Sequence, residues 1–162
     1  MINLLPPPYW YGFQNTFRVV LRIIGGVCTY VSMEYTYRSS LDEMPTTICL
    51  AEYNLTIKRG KQETVIPYAI INEVVLKKNG GKRFRTQLLP DGGKRIEITN
   101  TYHTTAKNVE DRSRAYSTFV RVLHFHLKDK SKARFSATMV ALKLFRFPKT
   151  YAPTDIPLEF LP

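Results

Sequence analysis

FRVVLRIIGGVCTYVSMEY, Phe17 to Tyr35, can be read in two ways, and the choice decides the fold. As one apolar segment it would be a membrane-associated helix. Arg18 and Arg22 lie inside it, however, and Glu34 closes it. The uncharged run from Ile23 to Met33 is 11 residues, whereas a helix that crosses a bilayer needs about 20. At period two the same residues resolve cleanly. Phe17, Val19, Leu21 and Ile23 share one face, and Val27, Thr29, Val31, Met33, Tyr35 and Tyr37 share one beyond Gly25-Gly26. Two alternating runs joined by Gly-Gly make a hairpin, because glycine supplies the positive φ that tight hairpin turns require. A hairpin over 16–38 is the stronger reading, and the transmembrane helix the weaker.

The rhythm continues outward from this hairpin. TTICLAEYNLTIK and QETVIPY flank Arg59-Gly60-Lys61, and AIINEVVLKK meets KRFRTQLL across Asn79-Gly80-Gly81. KRFRTQLL then meets KRIEITNTY across Pro90-Asp91-Gly92-Gly93. These runs predict seven antiparallel strands before residue 103. Leu55, Ile57, Val74, Leu76, Phe84, Leu88, Ile96 and Ile98 should face the core, with cations between them facing out. The period then changes. Tyr116, Phe119, Val120, Leu123 and Leu127 form one stripe of an amphipathic helix over 112–128, with Asp111 placed to cap it. Arg114, Ser117, Arg121 and His124 would be its wet face. ARFSATMVALKLFRF fits a strand or a short apolar helix, and the proline-rich tail from Pro148 an extended, docked or frayed end.

The expected class is therefore mainly β, a single domain over 1–162. It would have a Pro/aromatic arm over 1–15, strands and helix over 16–130, and a C-terminal extension over 131–162. Lys and Arg number 24 against 13 Asp and Glu, a net charge of +11. Such a field attracts polyanions: anionic lipid, nucleic acid or an acidic protein face. Residues 54–100 hold ten of the cations against four acids, over half of the net charge. Cys28 and Cys49 are too few for a disulfide framework and suit reduced core positions on a cytosolic face. MINLLPPPYWYG lacks the basic start of a signal peptide, so none is expected.

Strands followed by one C-terminal amphipathic helix resemble a pleckstrin-homology-like domain. The run YNLTIKRGKQETVIPYAIINEVVLKK and the helix DRSRAYSTFVRVLHFHL are similar to the bacterial branch of that family, found in small membrane-associated proteins. The likeness covers roughly 46–130, and the tail TYAPTDIPLEFLP is similar to the C-termini of such proteins. It implies a seven-stranded split barrel plugged by the helix. KKNGGKRFR also resembles the phosphoinositide motif of eukaryotic members, with Lys78, Arg83 and Arg85 in the motif's places. In those members the motif spans the first hairpin, whereas here it falls later.

The candidate anion- or lipid-binding residues are Lys77, Lys78, Lys82, Arg83, Arg85, Lys94 and Arg95. Lysine brings a point charge and arginine a planar fork of donors. Alternating cations on a solvated strand are also a common edge-protecting device. Tyr9, Trp10 and Tyr11 are a candidate interfacial or partner anchor, or else a strand-leading arm packed on the core. Phe84, Tyr102, Tyr53 and Tyr68 could stack single-stranded nucleic acid, as in a small basic barrel. His124 and His126 would point about 200° apart on a helix and so cannot share a metal. Each of the three histidines reads as a surface or half-buried residue. No phosphate loop, nucleophile elbow or metal spacing is present. The expectation is a non-enzymatic binding or scaffolding module with no cofactor, peripheral to the cytoplasmic face of a membrane. Its partner would be anionic headgroups or an acidic protein surface, with nucleic acid as the alternative.

Overall fold

A computed structural model describes residues 17–24, 27–140 and 149–162, with side chains from Ser32 onward except at Val140. The strands are β1 Phe17–Ile24, β2 Val27–Tyr37, β3 Thr46–Leu50, β4 Asn54–Arg59 and β5 Gln62–Pro67. They are followed by β6 Ile71–Asn79, β7 Phe84–Pro90, β8 Ile96–Thr99, β9 Thr101–His103 and β10 Val109–Asp111. The helix α1 spans Ser113–Lys130, and β11 Arg134–Val140 and β12 Lys149–Thr150 close the order.

Phe17 to Tyr35 is a hairpin: β1 pairs antiparallel with β2, Phe17 opposite Tyr35 and Ile24 opposite Val27. Among the described residues no helix is long and apolar enough to cross a membrane. The hairpin opens a five-stranded antiparallel sheet, β1-β2-β3-β4-β5. A second sheet runs β12-β11-β6-β7-β8, and β9 pairs with β10, bridged in parallel to Arg38 just after β2 through Tyr102. The fold is mainly β with one α-helix among the described residues, and neither large sheet closes into a barrel.

Nine strands, not seven, precede residue 104 among the described residues. Part of the reason lies in parity. Ile48 and Leu50 point inward at even positions, but Leu55 points inward at an odd one. A strand cannot change phase without a break, and Ala51 N–H closes a turn on Asn54 O at 2.9 Å. The run Thr46–Lys58 therefore folds back on itself, with Leu50 opposite Leu55. The second division falls at Asn100, whose side chain is buried between the strand ends.

The two sheets meet through tyrosines. Tyr35 and Tyr37 on β2 each donate a hydroxyl to a β8 carbonyl, Thr99 O and Glu97 O, both at 2.7 Å. Tyr116 of α1 shares a hydrogen bond of 2.7 Å with Thr86 Oγ1 on β7. Phe119 stacks on Tyr35 with ring centroids 5.1 Å apart. Each buried hydroxyl thus has a partner, so the rings contribute apolar burial without an orphaned polar atom. All five residues of the α1 stripe are buried, as are six of the eight strand residues expected in the core, while Ile57 and Ile96 are partly buried against it.

Asp111 is not the N-cap expected of it: Arg112 holds that position without a side-chain cap bond, while Asp111, two residues before α1, accepts the Ser113 backbone N–H on its Oδ1 at 2.9 Å. The extension after α1 joins the second sheet. β11 lies parallel to β6, Phe135 opposite Val74, which settles Arg134–Val140 as strand. The tail is docked: Phe160 and Leu161 are buried, and Ser117 Oγ donates to Pro162 O at 2.8 Å.

Candidate basic cleft

β6 and β7 are joined by Gly80 and Gly81 at φ 49° and 60°. Two consecutive left-handed residues are strained for any side chain but tolerated by glycine. The Asn79 N–H closes the loop on Arg83 O at 2.9 Å. Beyond the turn, Lys82 and Arg83 are exposed, while Phe84 is buried and anchors the strand. Lys78 lies half-buried with its ammonium 5.5 Å from the Phe84 ring centroid.

Asn100 fixes this turn from behind. Its Oδ1 accepts the Phe84 N–H at 3.0 Å, and its Nδ2 donates at 2.8 Å to both Lys82 O and Ser113 Oγ. One buried amide therefore ties the basic turn, β8 and the start of α1 together. The result is a cleft of about 420 Å³ whose lining includes Lys82, Arg83, Arg85, Asn100, His103 and Asp111. Three cations and a histidine converge there with one carboxylate, and Asp111 is already engaged with Ser113.

Of the seven candidate cations, the cleft gathers Lys82, Arg83 and Arg85. Arg85 is not a free charge: its Nη1 lies 2.6 Å from Glu97 Oε1, and Gln87 Nε2 holds the other carboxylate oxygen at 2.9 Å. Lys77 stands opposite Arg85 across the β6–β7 ladder, half-buried on the same face of the sheet. Lys78, one residue on, points to the other face. Lys94 and Arg95 are exposed beyond the far end of β7, about 20 Å from Arg83 by strand rise. The candidate set is thus two clusters, not one. Tyr9, Trp10 and Tyr11 lie outside the described residues.

Two arginines build the neighbouring wall, and no sequence pattern marked them. Arg38 Nε donates to Glu43 O at 2.8 Å and its Nη1 to His103 O at 3.3 Å, while Nη2 donates to Leu41 O. Arg112 Nη1 donates to Thr36 O at 2.7 Å, and its guanidinium lies 3.9 Å from the Tyr102 ring centroid. Both fasten β9 and β10 to the end of β2. Their role depends on contacts across more than 60 residues, which periodicity cannot display.

Several expectations are corrected by packing. His124 is not on the wet face but buried, with Nδ1 2.8 Å from Val120 O and Nε2 2.9 Å from Tyr151 Oη. Burial lowers its pKa to about 4, against a smaller opposing effect of the Val120 carbonyl. It is neutral at pH 7, with Nδ1–H donating to Val120 and Nε2 accepting from Tyr151. His126 is also buried and stacks on Tyr68 at 5.3 Å. Cys49 is not a core residue. It is half-exposed on the outer face of β3, its thiol 3.4 Å from Glu34 Oε1. Burial and then the Glu34 charge raise that thiol to about 11, which keeps it protonated and a poor nucleophile. Among the stacking candidates, Phe84 and Tyr68 are buried and Tyr102 is covered by Arg112. Tyr53 is 66% exposed, with the Lys130 ammonium 5.1 Å from its centroid.

Among the described residues, no group of three or more His, Cys, Asp and Glu is placed to hold a metal ion. No family model, curated protein or solved structure matches this chain.

Proposed function

We propose that this chain is a non-enzymatic binding module of the pleckstrin-homology-like kind. It docks by its basic turn on an anionic membrane surface at the cytoplasmic face. Antiparallel meanders followed by one amphipathic helix support the architectural part of that reading.

The observation that carries the function is the cleft. Lys82 and Arg83 are exposed on a glycine turn at its mouth, and Arg85 and His103 line it. A turn braced by Asn100 presents its charges without first having to be ordered, so little entropy is lost on binding. Each cation held near an anionic surface contributes about 1 kcal/mol at low salt. A phosphate-bearing headgroup fits a concave site with convergent donors.

Vesicle co-sedimentation tests the reading. Wild type should bind phosphatidylserine-containing vesicles and leave phosphatidylcholine vesicles in the supernatant. Lys82→Glu with Arg83→Glu should release it. A charge-reversed protein that still sediments fully, or wild type that ignores both vesicles, contradicts the proposal. Loss of oligonucleotide binding in place of vesicle binding would transfer the function to nucleic acid.

A further inference from the structure

The outer side of α1 carries a line of residues that the cleft does not use. Arg114, Thr118, Arg121, Phe125 and Lys128 succeed one another at steps of four and three residues, the spacing that keeps side chains in one row. Arg114, Arg121, Phe125 and Lys128 are all exposed. Phe125 is 48% exposed, its ring meeting His126 edge-on at 5.7 Å. The row is about 21 Å long at helical rise. Asp129 is the one acid beside it on the helix.

Its composition and shape point to one kind of partner. A helix is convex, and a cylinder touches a plane along one line. Cations on both sides of a half-exposed phenylalanine suit the boundary between headgroups and acyl chains, where charge meets phosphate and the ring leaves water. Single-stranded nucleic acid is held instead in grooves with several stacking rings. The row also begins at the basic turn, since Asn100 Nδ2 reaches both Lys82 O and Ser113 Oγ at 2.8 Å. Arg114 is the next residue.

We propose that α1 lies along an anionic lipid surface on this row. Arg121 and Lys128 meet headgroup phosphates, and the Phe125 ring enters the headgroup boundary. This rests on the membrane reading above and adds to it a second contact and an orientation: helix axis parallel to the bilayer.

The test uses the full chain with phosphatidylserine/phosphatidylcholine vesicles and with phosphatidylcholine alone. Arg121→Glu with Lys128→Glu should weaken binding to the anionic vesicles more than tenfold, with a loss that shrinks as salt rises. Phe125→Ser should weaken it several-fold at every salt concentration, because insertion of a ring is not screened. A thermal melt checks the fold of each variant. If the charge-reversed pair melts early, Arg121→Gln with Lys128→Gln replaces it, with a smaller loss expected. If these variants bind like wild type while Lys82→Glu with Arg83→Glu does not, the row is overturned and the turn stands. If wild type binds no anionic vesicle, both fall. If the helix variants lose a single-stranded oligonucleotide but keep the vesicles, the lipid assignment of the row is overturned.

Discussion

The tetrapeptide Gly-Gly-Lys-Arg occurs at each end of β7, once as Gly80 to Arg83 and again as Gly92 to Arg95. Both copies connect antiparallel strands, and both expose their Lys and Arg. Beyond them the sequences part at once, Phe84-Arg85 after the first and Ile96-Glu97 after the second, and the Arg85 and Glu97 side chains pair with each other. The first copy is braced by Asn100, whose side chain also reaches the start of α1, and it opens onto the cleft. The second is held by a Gly93 N–H to Pro90 O bond of 3.3 Å within its own loop. Identical local chemistry thus gives a built site in one place and a solvated loop in the other. What distinguishes them is the element that the rest of the chain places behind each.

The largest way to break this contrast is to remove the brace. Asn100→Ala deletes three hydrogen bonds and leaves the buried Phe84 N–H without its side-chain acceptor. The cost should be about 2–4 kcal/mol of stability, read from urea unfolding. Hydrogen exchange at the Phe84 amide should rise well before exchange near Gly93 changes.

Acid comes next, acting through the helix that backs the first turn. The folded His124 pKa of about 4 lies below the unfolded value of about 6.5. The unfolded state therefore binds the extra proton first as pH falls. Stability should be undiminished by this group above pH 6.5, decline between 6.5 and 4, and level off below. Between pH 7 and pH 5 the loss is about 2 kcal/mol. His124→Gln should flatten that slope in pH-dependent thermal melts, with part of the neutral-pH stability lost with the Tyr151 contact.

The smallest change sharpens the contrast. The Arg85–Glu97 pair is 40% and 35% exposed, so Glu97→Gln should alter stability by less than about 1 kcal/mol. It should nonetheless release Arg85 toward the cleft and strengthen binding to anionic vesicles a few-fold. A lower affinity would show that Glu97 positions Arg85 for binding instead of competing with the ligand.

The strands and helix were legible because each has a period. Alternation marked β1 and β2 despite their apolar run, and the stripe from Tyr116 to Leu127 marked α1. The parity change between Leu50 and Leu55 was also in the sequence, and it signals the turn that separates β3 from β4. The pairing of β11 with β6 was not legible, since a parallel partner more than 50 residues away leaves no local trace. For the site, Lys82, Arg83 and Arg85 could be read from charge on a glycine turn. Asn100, Arg38 and Arg112 could not, because their work is done on backbone groups brought in from distant strands. Nor did charge on a glycine turn separate the two Gly-Gly-Lys-Arg copies, although Asn79 leads into the first and Pro90-Asp91 into the second, and both glycines are left-handed in the first but only Gly92 in the second.

The most direct measurement compares those two turns at equal net charge. Lys82→Glu with Arg83→Glu and Lys94→Glu with Arg95→Glu lower the charge identically, so any long-range field effect is the same in both. Their affinities for phosphatidylserine-containing vesicles should be measured against wild type at about 0.1 M salt, where exposed charges are screened beyond about 10 Å. Reversal at the braced turn should cost more than tenfold, and reversal at the solvated loop less than threefold. Equal losses would mean that the vesicle senses overall charge and that the cleft is not a binding site.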